Sequence, residues 1–285
     1  MILVTGANGS NGAEIVKRLS GMGVAVRAMV RTPREQGKGI LPGVEIATAD
    51  FDQPESIRRA LEGVDRAFLV TNSSERVEKQ QLQFVQLALE AEVRHVVYLS
   101  QLHATKDSPV RFLRYHAVVE EAISSSGMAY THLRPNLYMQ GLIAFRASIA
   151  SEGRFFAPAG EARVSIVDVR DIAAVATAAL TSNSHEGKVY DVTGPEALTH
   201  TEIAVNLSEA LSKQITFTDI PEAAMRSALA GLGVPQWQAD GLVEDYAHYR
   251  RGEAAAVSTA VQDVTGVPAH TFLAFARDCR SAFLH

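Results

Sequence analysis

A single cysteine, Cys279, stands in the 285 residues, so no internal disulfide can form and a reducing, cytoplasmic setting is expected. Long apolar runs are missing too. The richest stretch, Ile172 to Leu180, is far short of the ~20 residues that cross a bilayer, so no membrane partner is expected. The opening apolar stretch ends at Val4 and lacks the pattern of a secretory leader. Positive charge is not in excess: the formal net charge is −5, which argues against nucleic acid, whose phosphates call for a basic face. The histidines are scattered without ligand spacing, so no metal site is expected. Repeats and low-complexity tracts are absent. What remains, 47% hydrophobic and 21% charged, describes an ordinary soluble globule long enough to bury a full α/β core.

Against these absences the first twelve residues stand out. Ile2 to Val4 form a short apolar run, and Thr5-Gly6-Ala7-Asn8-Gly9-Ser10-Asn11-Gly12 follows at once. Ala13, Val16 and Leu19 then recur at helical spacing. A strand that passes through glycines into a helix N-terminus is a cradle for a pyrophosphate. Gly6 permits the tight turn, Gly9 lets backbone approach the phosphates, and Gly12 lets helix and strand pack closely. Free N–H groups of the first helical turn, with Asn8, Ser10 and Asn11 beside them, favour the anion.

Strand and helix signals alternate from there. Strands are read at 24–30, 44–49, 67–70, 95–100 and 129–133, with helices around 56–61, 77–91 and 110–124. Strand–helix–strand units of this length require parallel strands with right-handed crossovers. The expected fold is α/β, a doubly wound parallel sheet of Rossmann type over residues 1–152, with 187–195 returning as a further strand. Residues 153–285 are expected to form a smaller, mixed, substrate-covering lobe. That part carries a helix from 142 to 150 (begun before the boundary), short strands at 154–156 and 163–167, a helix opened by Asp168, and a strand at 215–218.

The second strand decides the nucleotide. A carboxylate there would grip a ribose 2′-OH, yet none lies between Glu14 and Glu35. Arg31 stands at the strand end instead, where a guanidinium can pair bidentately with a 2′-phosphate. NADPH is therefore the expected cofactor, with NADH use open. Arg34 and Lys38 are the competing basic residues of the same loop. Asp50 and Phe51, after the third strand, can flank the adenine. Thr71, Asn72 and Ser73, after the fourth, are placed beside the nicotinamide ribose.

Together with the glycine segment and Arg31, the segments Leu99-Ser-Gln-Leu-His-Ala104, Leu133-Arg-Pro-Asn136 and Val167-Asp-Val-Arg-Asp171 resemble the NmrA-like atypical short-chain dehydrogenases. The resemblance is strongest to the type 2 NAD(P)H quinone oxidoreductase and NAD(P)H azoreductase branch. It implies that Ser100 assists cofactor binding and that Pro135 and Asn136 approach the nicotinamide carboxamide. It also implies that neither flavin nor metal is needed. In that superfamily a Tyr-x-x-x-Lys pair on the helix after the fifth strand handles protons. Counted back from Glu120, the pair has become Phe112 and His116. A phenyl ring has no proton to give, and Tyr115 points from another helical face. The acceptor is then one that takes hydride easily, a quinone or an azo compound, whose reduced anion collects a proton from water or a weak acid. His116 and Tyr138 are the candidate catalytic residues. His103, Phe112, Met139, Phe145 and Phe156 are candidate walls for a flat aromatic acceptor. Trp237, Tyr246 and Tyr249 suit either a lobe core or a lid. The resemblance covers NAD(P)-binding regulators as well, so a non-catalytic sensor acting through a protein partner stands as the alternative. A monomer or a homodimer fits either reading.

Overall fold

In the computed structural model residues 1–32 and 41–284 are described. Arg34 and Lys38, the alternative basic residues, lie outside them. The chain begins β1 (Ile2–Val4), α1 (Ser10–Gly21), β2 (Val26–Val30), β3 (Val44–Thr48), α2 (Pro54–Leu61), β4 (Arg66–Leu69), α3 (Val77–Glu90), β5 (His95–Leu99), α4 (Arg111–Ser124) and β6 (Ala129–Pro135). A 3₁₀ turn at Met139–Phe145 leads into α5 (Arg146–Glu152), β7 (Arg154–Ala157), α6 (Val169–Thr181) and β8 (Lys188–Val192). The last part holds α7 (His200–Leu211), β9 (Thr216–Asp219), α8 (Glu222–Gly231), α9 (Gln236–Arg250), α10 (Ala260–Thr265), α11 (Phe272–Asp278) and α12 (Arg280–Leu284).

Among the described residues the main sheet has seven strands in the order β3-β2-β1-β4-β5-β6-β8. The pairs from β3 through to β6 are parallel, with Ile2 opposite both Val26 and Arg66. Strands buried on both faces should be apolar throughout rather than alternating, and β1, β4 and β5 are buried at every position. The edge strand β3 is exposed at Glu45, Ile46 and Thr48. Chain order reverses at β1: the next strand, β2, lies on one side of it and β4 on the other. The crevice at such a switch point, beyond the carboxyl ends of the strands, is where doubly wound sheets bind ligands.

Contacts group the chain into two compact units, one of Met1–Asp107, Leu113–Arg134 and Ile172–Tyr190, the other of Ser108–Phe112, Pro135–Asp171 and Asp191–His285. The boundary expected at 152 thus falls inside the second unit, and α6 belongs mostly to the first. The first unit's core joins Leu3, Met29, Leu61, Leu69, Phe84, Val96 and Tyr98. The second is centred on Phe155, Ile166, Leu207, Phe272, Phe275 and Phe283. Tyr246 and Tyr249 belong to that second core rather than to a lid.

Two local expectations change. The helix expected from 142 to 150 divides into the 3₁₀ turn and α5. The strand expected at 163–167 survives only as isolated bridges, Tyr138 with Val167 and Val164 with Leu198. Its backbone groups are shared among three segments, since Val167 N–H donates to Leu137, Val164 N–H to Leu198 and Ser165 N–H to Ala254. No single neighbour can then extend a ladder. The short parallel sheet β7–β9, by contrast, lies within one residue of where it is expected.

Candidate nucleotide site

The glycine segment folds as a tight loop held by its own strand neighbours. Thr5, fully buried, donates its hydroxyl to the Val70 carbonyl and accepts the Val70 N–H, both at 2.8 Å, tying the ends of β1 and β4 together. Gly6 has φ +58, and a Cβ there would come within 2.8 Å of a Val70 methyl. The Gly9 N–H closes the turn on the Gly6 carbonyl at 2.8 Å. At Gly12 a Cβ would sit 2.3 Å from the Gly6 carbonyl oxygen and 2.9 Å from Ala7 Cα. The third glycine is thus required by the loop over it rather than by the strand. Helix α1 begins without a side-chain cap and without an acidic residue in its first turn. Its leading N–H groups and positive dipole end are therefore offered to an anion. Asn11 is buried with its Oδ1 unpartnered, whereas Asn8 and Ser10 are exposed. An uncapped N-terminus under a loop that approaches this closely, with a buried amide oxygen unsatisfied, fits the diphosphate of a dinucleotide.

Neighbouring strand ends carry the next candidates. Arg31 follows β2 directly and is exposed. The Asp50 carboxylate accepts the Asp52 N–H at 2.9 Å, and the Asp50 N–H donates to Ser56 Oγ at 3.0 Å, so the residue shapes the turn before α2 instead of capping the helix. Phe51 is half-buried and lies 5.9 Å from Phe84, ring centre to ring centre. Thr71 accepts a hydrogen bond from Gln81, Asn72 is exposed and Ser73 half-buried. Ser100 is buried at the end of β5 with its hydroxyl unpartnered. His103 is exposed and adopts φ +64, a left-handed conformation that a β-carbon tolerates poorly.

Deeper in the first unit lies an arrangement that the sequence did not signal. His116 Nδ1 is 2.7 Å from Tyr98 Oη, Tyr98 donates to Gln81 Oε1 at 2.8 Å, and Gln81 Nε2 donates to Thr71 Oγ1 at 2.8 Å. Gln81 and Tyr98 are at most 1% exposed. Burial lowers the His116 pKa to about 3 and pushes the Tyr98 phenol well above its usual range. His116 is accordingly a neutral imidazole near pH 7. The Tyr115 ring rests 4.1 Å from the His116 ring. The Cβ directions of the two residues diverge by ~100°, but large rings can swing back together, so the expected separation of faces does not hold for the rings. The available signals were a glutamine on the buried face of an amphipathic helix and a tyrosine inside a fully buried strand. Each is unremarkable until the fold joins them.

The remaining candidates belong to the second unit. Phe112 is buried with its edge against Gly241, where a Cβ would lie 2.3 Å from the ring, and packs 5.4 Å from Trp237. The preceding residue anchors the start of α4: Arg111 donates its backbone N–H to Glu244 at 2.8 Å and its guanidinium to the same carboxylate at 2.7 Å. Pro135 is buried. The Asn136 side chain is fully engaged, donating to Ser165 Oγ and the Ala254 carbonyl at 2.9 Å and accepting the Leu137 N–H at 2.8 Å. Tyr138 is half-buried, and Met139 lies entirely within the core. Phe145 and Phe156 meet edge to face at 5.3 Å. Among the described residues no group of three or more His, Cys, Asp or Glu side chains is placed to hold a metal ion, and no helix is long and apolar enough to cross a membrane.

The profile of the NmrA-like family matches residues 1–264. The NAD(P)H azoreductase of Xenophilus azovorans is 36% identical over 99% of each chain. The (4-alkanoyl-5-oxo-2,5-dihydrofuran-3-yl)methyl phosphate reductase of Streptomyces griseus is also 36% identical, again over 99% of each. Among solved structures, an NADPH-dependent quinone oxidoreductase from Escherichia coli complexed with NADPH superposes with a TM-score of 0.86 at 29% identity, over 98% of this chain and 99% of that one. With the glycine cradle, the strand order and these full-length likenesses in agreement, the chain belongs to the NmrA-like family.

Proposed function

We propose that the protein is an NADPH-preferring reductase that passes hydride directly, without flavin, to a quinone or azo compound. The observation that carries this reading is the cradle: Gly6, Gly9 and Gly12 hold a loop against the uncapped N-terminus of α1. Reductases that resemble the chain along nearly its whole length support the enzymatic class, NAD(P)H-dependent reduction.

When bound, the reduced nicotinamide supplies the hydride. The chain's own residues do the rest. The α1 N-terminus neutralises the diphosphate, and Arg31 favours a 2′-phosphate where no carboxylate would favour a bare ribose. Neither residue at the expected proton-handling positions offers an easily lost proton. Phe112 has none, and His116 is neutral at pH 7. An acceptor whose reduced anion survives until water protonates it suits this equipment, and quinones and electron-poor azo bonds do so. Catalysis then rests mainly on holding the acceptor against the cofactor, with orientation rather than acid–base chemistry lowering the barrier.

The test is NADPH oxidation at 340 nm against quinones, azo dyes and an α,β-unsaturated butenolide, with Arg31→Ala alongside. Turnover on a quinone or azo dye is expected without added flavin. Removing a charge-assisted phosphate contact worth ~1.5–3 kcal/mol should raise KM for NADPH about 10- to 100-fold and leave NADH little changed. Turnover confined to the butenolide would reject the acceptor class. NADPH binding without turnover on any acceptor would reject the enzyme.

A further inference from the structure

The first unit holds a directional run of hydrogen bonds for which the reading above has no use. It starts at Thr71, whose neighbour Val70 is clamped by Thr5 at the foot of the glycine loop. It passes inward through Gln81 of α3 and Tyr98 of β5 and ends on His116 of α4. Each link constrains the next. Gln81 gives its amide N–H to Thr71, so its carbonyl oxygen faces Tyr98. Tyr98 has one proton and donates it to that oxygen. The 2.7 Å contact between Tyr98 Oη and His116 Nδ1 then has a proton only if the imidazole supplies it. Nε2 is left with its lone pair, and the residue keeps 8% of its surface exposed.

We propose that Gln81 and Tyr98 are positioning residues that fix His116 as the neutral Nδ1–H tautomer, so that Nε2 serves as a hydrogen-bond acceptor for a hydroxyl of the bound dinucleotide. The proposal deepens the cofactor reading above and rests on it for the identity of the ligand. It assigns His116 an accepting role and removes it as a source of protons. An unpartnered buried acceptor or donor costs ~1–3 kcal/mol, so a buried glutamine and tyrosine must be satisfied in one consistent direction. Direction is what selects one nitrogen of a histidine. The titratable groups nearest the ring are Tyr98, Tyr115 and Glu120. Tyr98 packs on it from β5 and Tyr115 from its own helix. One turn further along α4, Glu120 is held by Arg134.

The experiment is long-range ¹H–¹⁵N correlation of the histidine side chains from pH 5.5 to 8, with and without NADP⁺, the His116 signals being assigned by their loss in His116→Asn. The expected result is a neutral ring protonated at Nδ1 throughout, with the Nε2 resonance moved by saturating NADP⁺. Tyr98→Phe removes the acceptor and should bring in the Nε2–H form while weakening NADP⁺ binding roughly fivefold, the worth of one hydrogen bond. Gln81→Leu is the second variant, needed if Tyr98→Phe does not fold, and should shift the tautomer in the same direction. An Nε2–H tautomer in the unaltered protein would overturn the inference, since a reversed Gln81 amide would drive the run the other way. So would a ring that titrates near pH 6.5, or an Nε2 resonance indifferent to bound NADP⁺. Failure of NADP⁺ to bind at all would overturn the cofactor reading and, with it, the assignment of the acceptor to a dinucleotide. The tautomer itself would still be read from the free protein.

Discussion

Buried asparagines in the two units are treated in opposite ways. In the first, the strand ends around the switch point leave groups unengaged: Asn11 Oδ1 and Ser100 Oγ are buried without partners, and α1 starts uncapped. In the second, the asparagine that follows β6 makes three hydrogen bonds, to Ser165, Ala254 and Leu137, and Met139 beside it is sealed in apolar packing. Ser100 and Asn136 both stand just past a strand, and the sequence shows them alike. A buried group without a partner lowers stability and is tolerated where a ligand completes it, whereas a fully satisfied one holds the fold together. Asn11 is therefore the better candidate for a binding surface, and Asn136 for the scaffold.

The sharpest way to break that contrast is at Gly12. A Cβ 2.3 Å from the Gly6 carbonyl cannot be accommodated unless the loop moves, and the loop is the proposed cradle. Gly12→Val should reduce NADPH affinity more than about 100-fold (~3 kcal/mol), measured by fluorescence titration. Affinity within threefold of the unaltered protein would mean that the loop is not the phosphate site.

Acid should affect the whole molecule next. Burial lowers the pKa of His95, His132 and His200 to about 4 and that of His116 to about 3. Their folded values lie below the unfolded value of ~6.5, so between pH 6.5 and 4 the unfolded chain binds more protons. Stability is therefore complete above pH 6.5 and is lost as pH falls toward 4. Each such histidine contributes about 1 kcal/mol to this loss by pH 6. Thermal melts at pH 7.5 and 6 should show Tm lower at pH 6 by several degrees, and an unchanged Tm would mean that these rings are not buried neutral. Three of the four lie in the first unit.

The smallest expected effect sharpens the other half. Asn136→Leu removes three hydrogen bonds in the second unit and leaves the Leu137 N–H without its acceptor, which should lower stability by roughly 2 kcal/mol in urea unfolding. NADPH affinity of the surviving folded protein should stay within threefold. A selective loss of affinity would return Asn136 to the cofactor site, where the sequence had placed it.

Most of the first unit was legible because its signals are local. Largely apolar strands, glycines at fixed offsets and a missing carboxylate after the second strand each follow from neighbours in the chain. The second unit was harder to read. The segment 163–167 has the composition of a strand, but its backbone is divided among partners at Leu137, Leu198 and Ala254. Phe112 reads as a possible pocket wall until Gly241, far along the chain, is seen to make room for its ring.

By itself the sequence determined the doubly wound class, the tight glycine loop ahead of α1 and the basic character of the second strand's end, because each depends on residues only a few positions apart. Tertiary structure alone decided which polar side chains are satisfied. It brought Thr71, Gln81, Tyr98 and His116 into one run of hydrogen bonds from four separate elements and loops, and it buried Gln81 and Tyr98 where water cannot compete. Hydrogen-bond direction, and with it the protonation of a histidine, is a property of that enclosure, since in water each of those groups would find its own partner.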